Sequence, residues 1–394
     1  MLSLILCFQV HQPYRLKPLN IFDIGELDTP FDTDLNRSII EKIAEKCYIP
    51  ANKLFLKLIE RHEGQFKVSF SITGTAVEQL KKYSPLVLDL FVELAGTGCV
   101  QFIGETYYHS LSSLYDRDEF IDQIKMHLRL MQNEFGIIPA VFRNTGLIYD
   151  NSTVRHLMQF SNFQAILTEG SGDIPGHRSP LRPYRTNNNC FYLLLRNDSF
   201  SDDIDFRFSN RGWTGCPPAA DEFISRIENL YLKEKTDKTL YLNLFLDYET
   251  FGKHGWEDFF EYLPEEVLKH ENLFFSWPSD VIHGCNDTAE GLSIFPSNTR
   301  ADTERGRSAW LSNDLQKNAV ETIFNLLRQV KSKGDESLLG KVRKLTSSDH
   351  FYYMCTEYFQ GHEMHKDFSP FDSPEDAYLS FLYAAADIEE KLKQ

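Results

Sequence analysis

The segment Tyr241-Leu242-Asn243-Leu244-Phe245-Leu246-Asp247-Tyr248-Glu249-Thr250-Phe251-Gly252 carries the clearest catalytic signature in the chain. A run of apolar residues ending in an acid sets a carboxylate at the rim of a dry interior, where desolvation raises its pKa toward the range a general acid needs. Asp247 is therefore the leading catalytic candidate. Glu249, pointing the other way, suits capping of the following helix through backbone N–H groups. A second segment, Gly104-Glu105-Thr106-Tyr107-Tyr108-His109-Ser110, combines an acid, two aromatics and a His just after another apolar run. Such a set can bind sugar hydroxyls and stack on a pyranose ring. His11-Gln12-Pro13 brings an imidazole and an amide off the first run, and Ser347-Ser348-Asp349-His350-Phe351-Tyr352-Tyr353-Met354 joins an acid to a His. Helical spacing there sets Asp349 beside Tyr352 and Tyr353. Core packing accounts for Phe351 and Met354 but not for the adjacent Asp-His pair.

Groups so far apart in sequence need a frame that gathers them. Apolar runs of strand length recur at Leu2–Val10, Phe66–Ile72, Cys99–Ile103, Ala140–Phe142, Phe163–Leu167, Cys190–Leu195, Leu240–Leu246 and Leu273–Ser276. Several are almost continuous in apolar character, as strands buried on both faces should be. Helical patterns lie between them, at Ala51–Arg61, Thr75–Tyr83, Asp116–Phe135, Thr153–Phe160 and Ala219–Leu232. Alternating strands and helices imply a parallel sheet, and this many units suit a β/α barrel better than an open sheet. His11, Glu105, Arg143, Asn144, Glu169, Arg196 and Asp247 each follow a strand, which in a barrel brings them to the one face that carries chemistry. From about Thr303 the pattern changes to helices alone, at Arg307–Lys331, Ser348–Phe359 and Pro374–Lys393. The last begins Ser373-Pro374-Glu375-Asp376, a cap with Pro in the first turn and acids at the positive dipole end. The predicted division is a barrel domain over 1–290 and a helical bundle over 291–394 that completes the substrate groove.

Composition narrows the partners. The 394 residues carry 41 basic and 57 acidic side chains, a net charge of −16, which excludes nucleic acid or an anionic membrane as the main partner. No apolar run reaches the roughly 18 residues of a membrane span. The apolar N-terminus lacks a basic leader and a cleavage site. Seven Cys without a C-x-x-C pair read as free thiols in a reducing compartment. A cytoplasmic location is expected, with no cofactor and no metal.

Five ordered motifs then make a family likeness specific: His11-Gln12-Pro13, Gly104–Leu111, Phe142-Arg143-Asn144-Thr145, Leu246–Gly252 and Ser348–Met354. Together they resemble glycoside hydrolase family 57, in its α-amylase and α-amylase-like branch, and the likeness runs through His365–Pro374. The resemblance implies an incomplete parallel (β/α)7 barrel followed by a C-terminal helical bundle, and a retaining mechanism on α-glucans such as starch, glycogen or maltooligosaccharides. That mechanism needs two carboxylates roughly 5–5.5 Å apart. By resemblance Asp247 is the acid/base, and His11, Gln12, Glu105, Tyr107, His109, Arg143, Trp213, Asp349, His350 and Tyr352 line the substrate groove, with Tyr107, Tyr108, Trp213 and Tyr352 as its aromatic walls.

The chain departs from the family at the nucleophile. Active members look like Phe-Arg-Asn-Thr-Glu-Leu-Ile-Tyr, whereas Phe142-Arg143-Asn144-Thr145-Gly146-Leu147-Ile148-Tyr149 has Gly146 where the glutamate belongs. Glycine cannot attack, and losing a covalent catalyst costs several powers of ten in rate. The expected function is an α-amylase-like protein that binds α-glucan and is catalytically impaired. Returning a carboxylate through Gly146→Glu is expected to restore turnover. One alternative is an active hydrolase or 4-α-glucanotransferase using Glu105, Glu169 or Glu249 instead. Another is a metal-dependent barrel hydrolase in which His11, Asp247 and His350 meet.

Overall fold

The structure is a computed structural model that describes residues 1–170, 178–207, 219–234, 240–252, 256–285, 289–293, 308–356 and 369–394. Each apolar run becomes a strand: β1 Leu2–Val10, β2 Val68–Ile72, β3 Val100–Phe102, β4 Val141–Arg143, β5 Ala165–Thr168, β7 Tyr192–Leu195, β8 Leu240–Asp247 and β9 Leu273–Phe275. The two-residue strand β6, Tyr184–Arg185, has no apolar run to announce it and pairs antiparallel with β7.

β8 pairs in parallel with β1 along Leu2–Gln9, so it takes one whole edge of that strand. The other edge of β1 is shared, by β9 at Leu2–Leu4 and by β2 at Cys7–Val10. β2 continues to β3, and β4, β5 and β7 form a second parallel run. Gly104 joins the two runs: its N–H donates to the Val141 carbonyl at 2.8 Å, and its carbonyl accepts from the Arg143 N–H at 2.9 Å. The parallel order is therefore β8-β1-β2-β3-β4-β5-β7, the core of an α/β fold.

Among the described residues no ladder joins β7 to β8 to close the ring, although the two approach each other across a seam. The Asn197 N–H donates to the Asn243 carbonyl at 2.9 Å, and the Leu195 N–H donates to the Tyr241 hydroxyl at 2.5 Å. Toward the end of β8 side chains replace the missing neighbour. The Phe245 N–H donates to Ser201 Oγ at 3.3 Å, its carbonyl accepts from Arg196 Nε at 3.1 Å, and the Asp247 N–H donates to Asp205 Oδ1 at 3.2 Å. A buried strand edge needs such partners, because an orphaned backbone group costs about as much as a lost hydrogen bond.

From Ser308 the described residues are helical, with helices Ser308–Leu311, Asp314–Lys333, Glu336–Leu345, Ser348–Tyr352 and Pro374–Lys393 around an apolar core that includes Phe324, Leu327, Phe351 and Phe381. The last helix starts as its sequence requires, with Ser373 Oγ accepting from the Asp376 N–H at 3.0 Å. Among the links that fasten this region to the rest of the fold are these two. Buried Glu119, on helix Arg117–Phe135, accepts from Arg343 Nε at 2.9 Å and faces Lys331 Nζ at 2.5 Å. The Ser348 N–H donates to the His109 carbonyl at 3.0 Å, beside a bridge between Ser110 and Ser347. Among the described residues no helix is long and apolar enough to cross a membrane, and the six cysteines there are free.

Candidate active site

Because the strands are parallel, their C-terminal ends share one side of the sheet, and the residues that follow them meet there. His11 follows β1, Thr73 follows β2, Glu105 follows β3 by way of Gly104, Asn144 follows β4, Glu169 follows β5, Arg196 follows β7, and Asp247 ends β8. The helical region adds one more group, Asp349, carried in by the Ser348–His109 link.

On the β1–β3 side these groups form two hydrogen-bonded clusters that meet at the His109 ring. His11 Nε2 lies 2.7 Å from Asp349 Oδ2, and its Nδ1 lies 3.0 Å from Thr73 Oγ1. Ser347 Oγ donates to the same Asp349 oxygen at 2.7 Å. Burial opposes the charge on Asp349, but the His11 ring outweighs it and holds the carboxyl well below the usual carboxylate range. The His11 ring is 4.3 Å from that of His109, centroid to centroid. Burial, then the neighbouring His11, pushes His109 down to about 4, so it is neutral at pH 7. Beneath it Glu105 accepts from Ser71 Oγ at 2.7 Å and from Arg143 Nη2 at 2.9 Å, both ends of the ion pair being fully buried. Burial would raise Glu105, yet the Arg143 guanidinium overrides it and the carboxyl sits at about 2.

Asp247 stands at the end of β8, partly exposed, with its backbone N–H on Asp205. Glu249 does not cap the following helix as the sequence suggested. The strand stops at Asp247 and a 3-10 turn, Tyr248–Gly252, begins, held by a hydrogen bond from Thr250 Oγ1 to the Asp247 carbonyl. Strand alternation ends there, and the turn aims Glu249 at Tyr48, whose hydroxyl donates to it, and at Gln12 Nε2, 3.2 Å away. Arg15 Nη2 donates to Gln12 Oε1 at 3.1 Å and so fixes which way the amide faces. Burial first, and the charge of Asp247 second, raise Glu249 to about 7, leaving a carboxyl that keeps its proton well into the neutral range.

Gly146 lies in the 3-10 turn Thr145–Leu147 directly after β4. Its φ of 57° falls in the left-handed region, which suits glycine, while Leu147 next to it bears a φ of 56° without that freedom. Thr145 Oγ1 donates to the Ser110 carbonyl at 2.7 Å and holds the turn. A Cβ on Gly146 would meet Cη2 of Trp310 at 2.2 Å, so a side chain can return to position 146 only if that ring moves. Glu169 is the carboxylate next to this turn: the Leu147 carbonyl accepts from the Glu169 N–H at 3.4 Å and from Thr168 Oγ1 at 3.1 Å. Its carboxylate lies 3.5 Å from Arg196 Nη1, and buried Arg196 also reaches Asp202 at 2.6 Å.

Comparison with known proteins shows the family. Residues 5–294 match the family pattern of Glycosyl hydrolase family 57. The chain belongs to glycosyl hydrolase family 57. Across 98% of its length, and 84% of the relative's, it is 39% identical to a putative alpha-amylase of Methanocaldococcus jannaschii. Its fold is similar to that of the GH57-type branching enzyme of Pyrococcus horikoshii, with a TM-score of 0.69 and 14% identity over 97% of this chain and 88% of that one. It is also similar to the 4-alpha-glucanotransferase of Thermococcus litoralis, with a TM-score of 0.66 and 14% identity over 89% of this chain. The match covers only 56% of the glucanotransferase.

Within this family 57 chain the expected groove residues divide. His11, Glu105, His109, Arg143 and Asp349 come together on the β1–β3 side as just described, and Gln12 lies on Glu249 instead. Tyr107 does not present its ring as a wall: it is buried under the start of helix Gly74–Tyr83, and its hydroxyl donates to Glu78 at 2.8 Å. His350 turns from Asp349 into the helical core, buried beside the Phe381 ring at 5.8 Å, since adjacent helical residues face different ways. Tyr352 is partly buried against the same core, and Trp213 lies outside the described residues. The metal alternative needs His11, Asp247 and His350 together, whereas both nitrogens of His11 are engaged by Asp349 and Thr73 and His350 is elsewhere. Among the described residues no group of His, Cys, Asp and Glu is spaced to hold a metal ion. Sequence reasoning missed Thr73, Asp205 and Trp310. Thr73 had a signal, a hydroxyl one residue past an apolar strand, while Asp205 and Trp310 had none.

Proposed function

We propose that this family 57 chain is an α-amylase-like protein that binds α-glucan and does not form the covalent glycosyl-enzyme of retaining hydrolysis. The observation that carries the reading is Gly146 at the rim after β4, in the motif where active members have their glutamate, with its neighbours Arg143, Asn144 and Thr145 retained and engaged. The names of its relatives, an amylase, a branching enzyme and a glucanotransferase, support α-glucan as the ligand class. Asp247 keeps the acid/base position, and His11, Gln12, His109 and Asp349 supply oriented donors and acceptors for sugar hydroxyls. The pairing of Glu105 with Arg143 supports a role in shaping this surface rather than in attack, since a carboxylate at about 2 inside an ion pair is a poor nucleophile. Glu249 is poor for the opposite reason, because it holds its proton.

Titration calorimetry with maltooligosaccharides and glycogen, run beside a reducing-sugar assay, tests the reading. Binding without release of reducing ends is expected, and absence of binding at millimolar maltooligosaccharide removes the idea. The active alternative has one observation in its favour, the backbone hydrogen bond that sets Glu169 beside the Gly146 turn. It requires turnover that disappears in both Asp247→Asn and Glu169→Gln.

A further inference from the structure

We infer that Trp310 is an intramolecular plug: its indole occupies the volume into which a side chain at position 146 would project, so covalent chemistry is closed off by two residues and not by one. The inference rests on the reading of Gly146 as the nucleophile position.

The fit is close. A Cβ on Gly146 would lie 2.2, 3.0 and 3.1 Å from Cη2, Cζ3 and Cζ2 of the ring, so the six-membered edge of the indole points at the glycine. Non-bonded carbons gain most at about 3.5–4.0 Å, and at the shortest of these distances they overlap outright. The backbone adds to the demand for glycine, since Gly146 has a φ of 57°.

The ring is held rather than merely present. Trp310 is 8% exposed and packs in the apolar core that includes Leu111, Phe351 and Met354. Its neighbour in sequence is stapled: Gln316 Nε2 donates to the Ala309 carbonyl at 2.8 Å and to the Phe351 carbonyl at 3.0 Å. Phe351 is on the short helix Ser348–Tyr352 that delivers Asp349. The indole and Asp349 thus ride on one hydrogen-bonded support, one arm of which orders the polar network while the other fills the nucleophile's space. A sugar seated against that network would meet hydrocarbon where an active member offers a carboxylate, and putting a glutamate back at position 146 leaves it nowhere to go.

The test uses an activated aryl α-maltoside, with azide as an external nucleophile. Azide attacks the anomeric carbon, forming a C–N bond as the C–O bond breaks. The aryl group leaves as phenolate with the electron pair, so no proton transfer is needed and the product is β-maltosyl azide. The parent chain and Gly146→Glu are expected to give neither azide product nor hydrolysis above background. Trp310→Ala, which opens a cavity beside Gly146, is expected to give β-maltosyl azide. Gly146→Glu combined with Trp310→Ala should hydrolyse the maltoside at least about a hundredfold faster than either single variant, a modest share of what a covalent carboxylate contributes.

Hydrolysis by Gly146→Glu alone as fast as by the double variant overturns the plug. So does a double variant that binds maltotriose yet turns over no faster than Gly146→Glu. If no variant binds maltooligosaccharide, parent included, the glucan reading falls, and a thermal unfolding cycle still decides whether the two residues compete for one space. Gly146→Ala should lower Tm less in a Trp310→Leu background than in the parent, the φ cost being common to both. Equal losses in the two backgrounds overturn the inference even where turnover cannot be read.

Discussion

The two sides of the strand-end face differ in what they retain. On the β1–β3 side two clusters, His11 with Thr73 and Asp349, and Glu105 with Ser71 and Arg143, are each held at 2.7–3.0 Å and meet through the His109 ring. On the β4–β5 side the matching place holds a glycine and the edge of an indole, with Glu169 beside them, held by the Gly170 N–H at 2.9 Å and a long contact to Arg196. On the function proposed above, groups that orient a ligand are kept under mutual constraint, while the group that would make a bond to it is missing. The difference has a physical basis. Each member of a buried polar network penalises loss of any other, because an orphaned charge or donor stays behind. A rim carboxylate that touches little else can be replaced at no such cost.

The comparison can be broken first at its strongest point. Arg143→Ala should cost about 3–5 kcal/mol in denaturant unfolding, because Glu105 would be left charged and buried without its partner. A loss under 1 kcal/mol would mean that the network is not the constraint claimed for it. Gly146→Ala should follow at about 2–4 kcal/mol, from left-handed strain plus overpacking against Trp310. A neutral Gly146→Ala would show the β4 turn to be looser than its geometry implies.

Much of this frame was legible beforehand, and the reasons for what was not are local. Strands buried on both faces must be continuously apolar, so β1 and the other runs declared themselves, and helix Pro374–Lys393 was marked by its Ser-Pro-Glu-Asp cap. The gathering of His11, Glu105 and Asp247 followed from parallel order alone. Pair geometry across the fold did not follow. Nothing near Trp310 in sequence names Gly146 as its neighbour, and nothing in Cys99–Ser110 says that Tyr107 turns under the helix to reach Glu78. Glu249 was misassigned because a helix for it to cap was expected straight after β8, where the chain instead makes a 3-10 turn. His350 is the converse case: its type suggested a ligand contact, and its burial against Phe381 shows a core residue.

Smaller effects come from titration, and they sharpen the contrast by their signs. Burial holds His109 and His350 at about 4, below the ordinary 6.5, so the unfolded chain binds these protons first and stability falls as pH drops from 6.5 toward 4. Glu105 extends the loss below that, since its folded value of about 2 lies under the ordinary 4.5. Glu249 acts oppositely. Raised from 4.5 to about 7, it favours the folded state when protonated, so its contribution declines as pH rises through that window. Each proton is worth at most about 1.4 kcal/mol per pH unit. Unfolding free energy measured against pH should therefore rise from pH 4 to 6.5, and Glu249→Gln should steepen the rise by removing the opposing slope. An unchanged slope in that variant would place the Glu249 proton elsewhere.

The smallest expected effect is the most discriminating. Glu169→Gln should change stability by less than about 1 kcal/mol, because its contact with Arg196 is long and partly exposed while Arg196 keeps Asp202 at 2.6 Å and the Phe245 carbonyl at 3.1 Å. Maltooligosaccharide affinity should also be unchanged, because the groups that orient a ligand sit across the face on β1–β3. Those two null results leave any rate effect interpretable. If the parent shows even slow turnover and Glu169→Gln abolishes it with folding and affinity intact, the β4–β5 side has regained a nucleophile one strand over, and the contrast between the two sides is one of position and no longer one of loss.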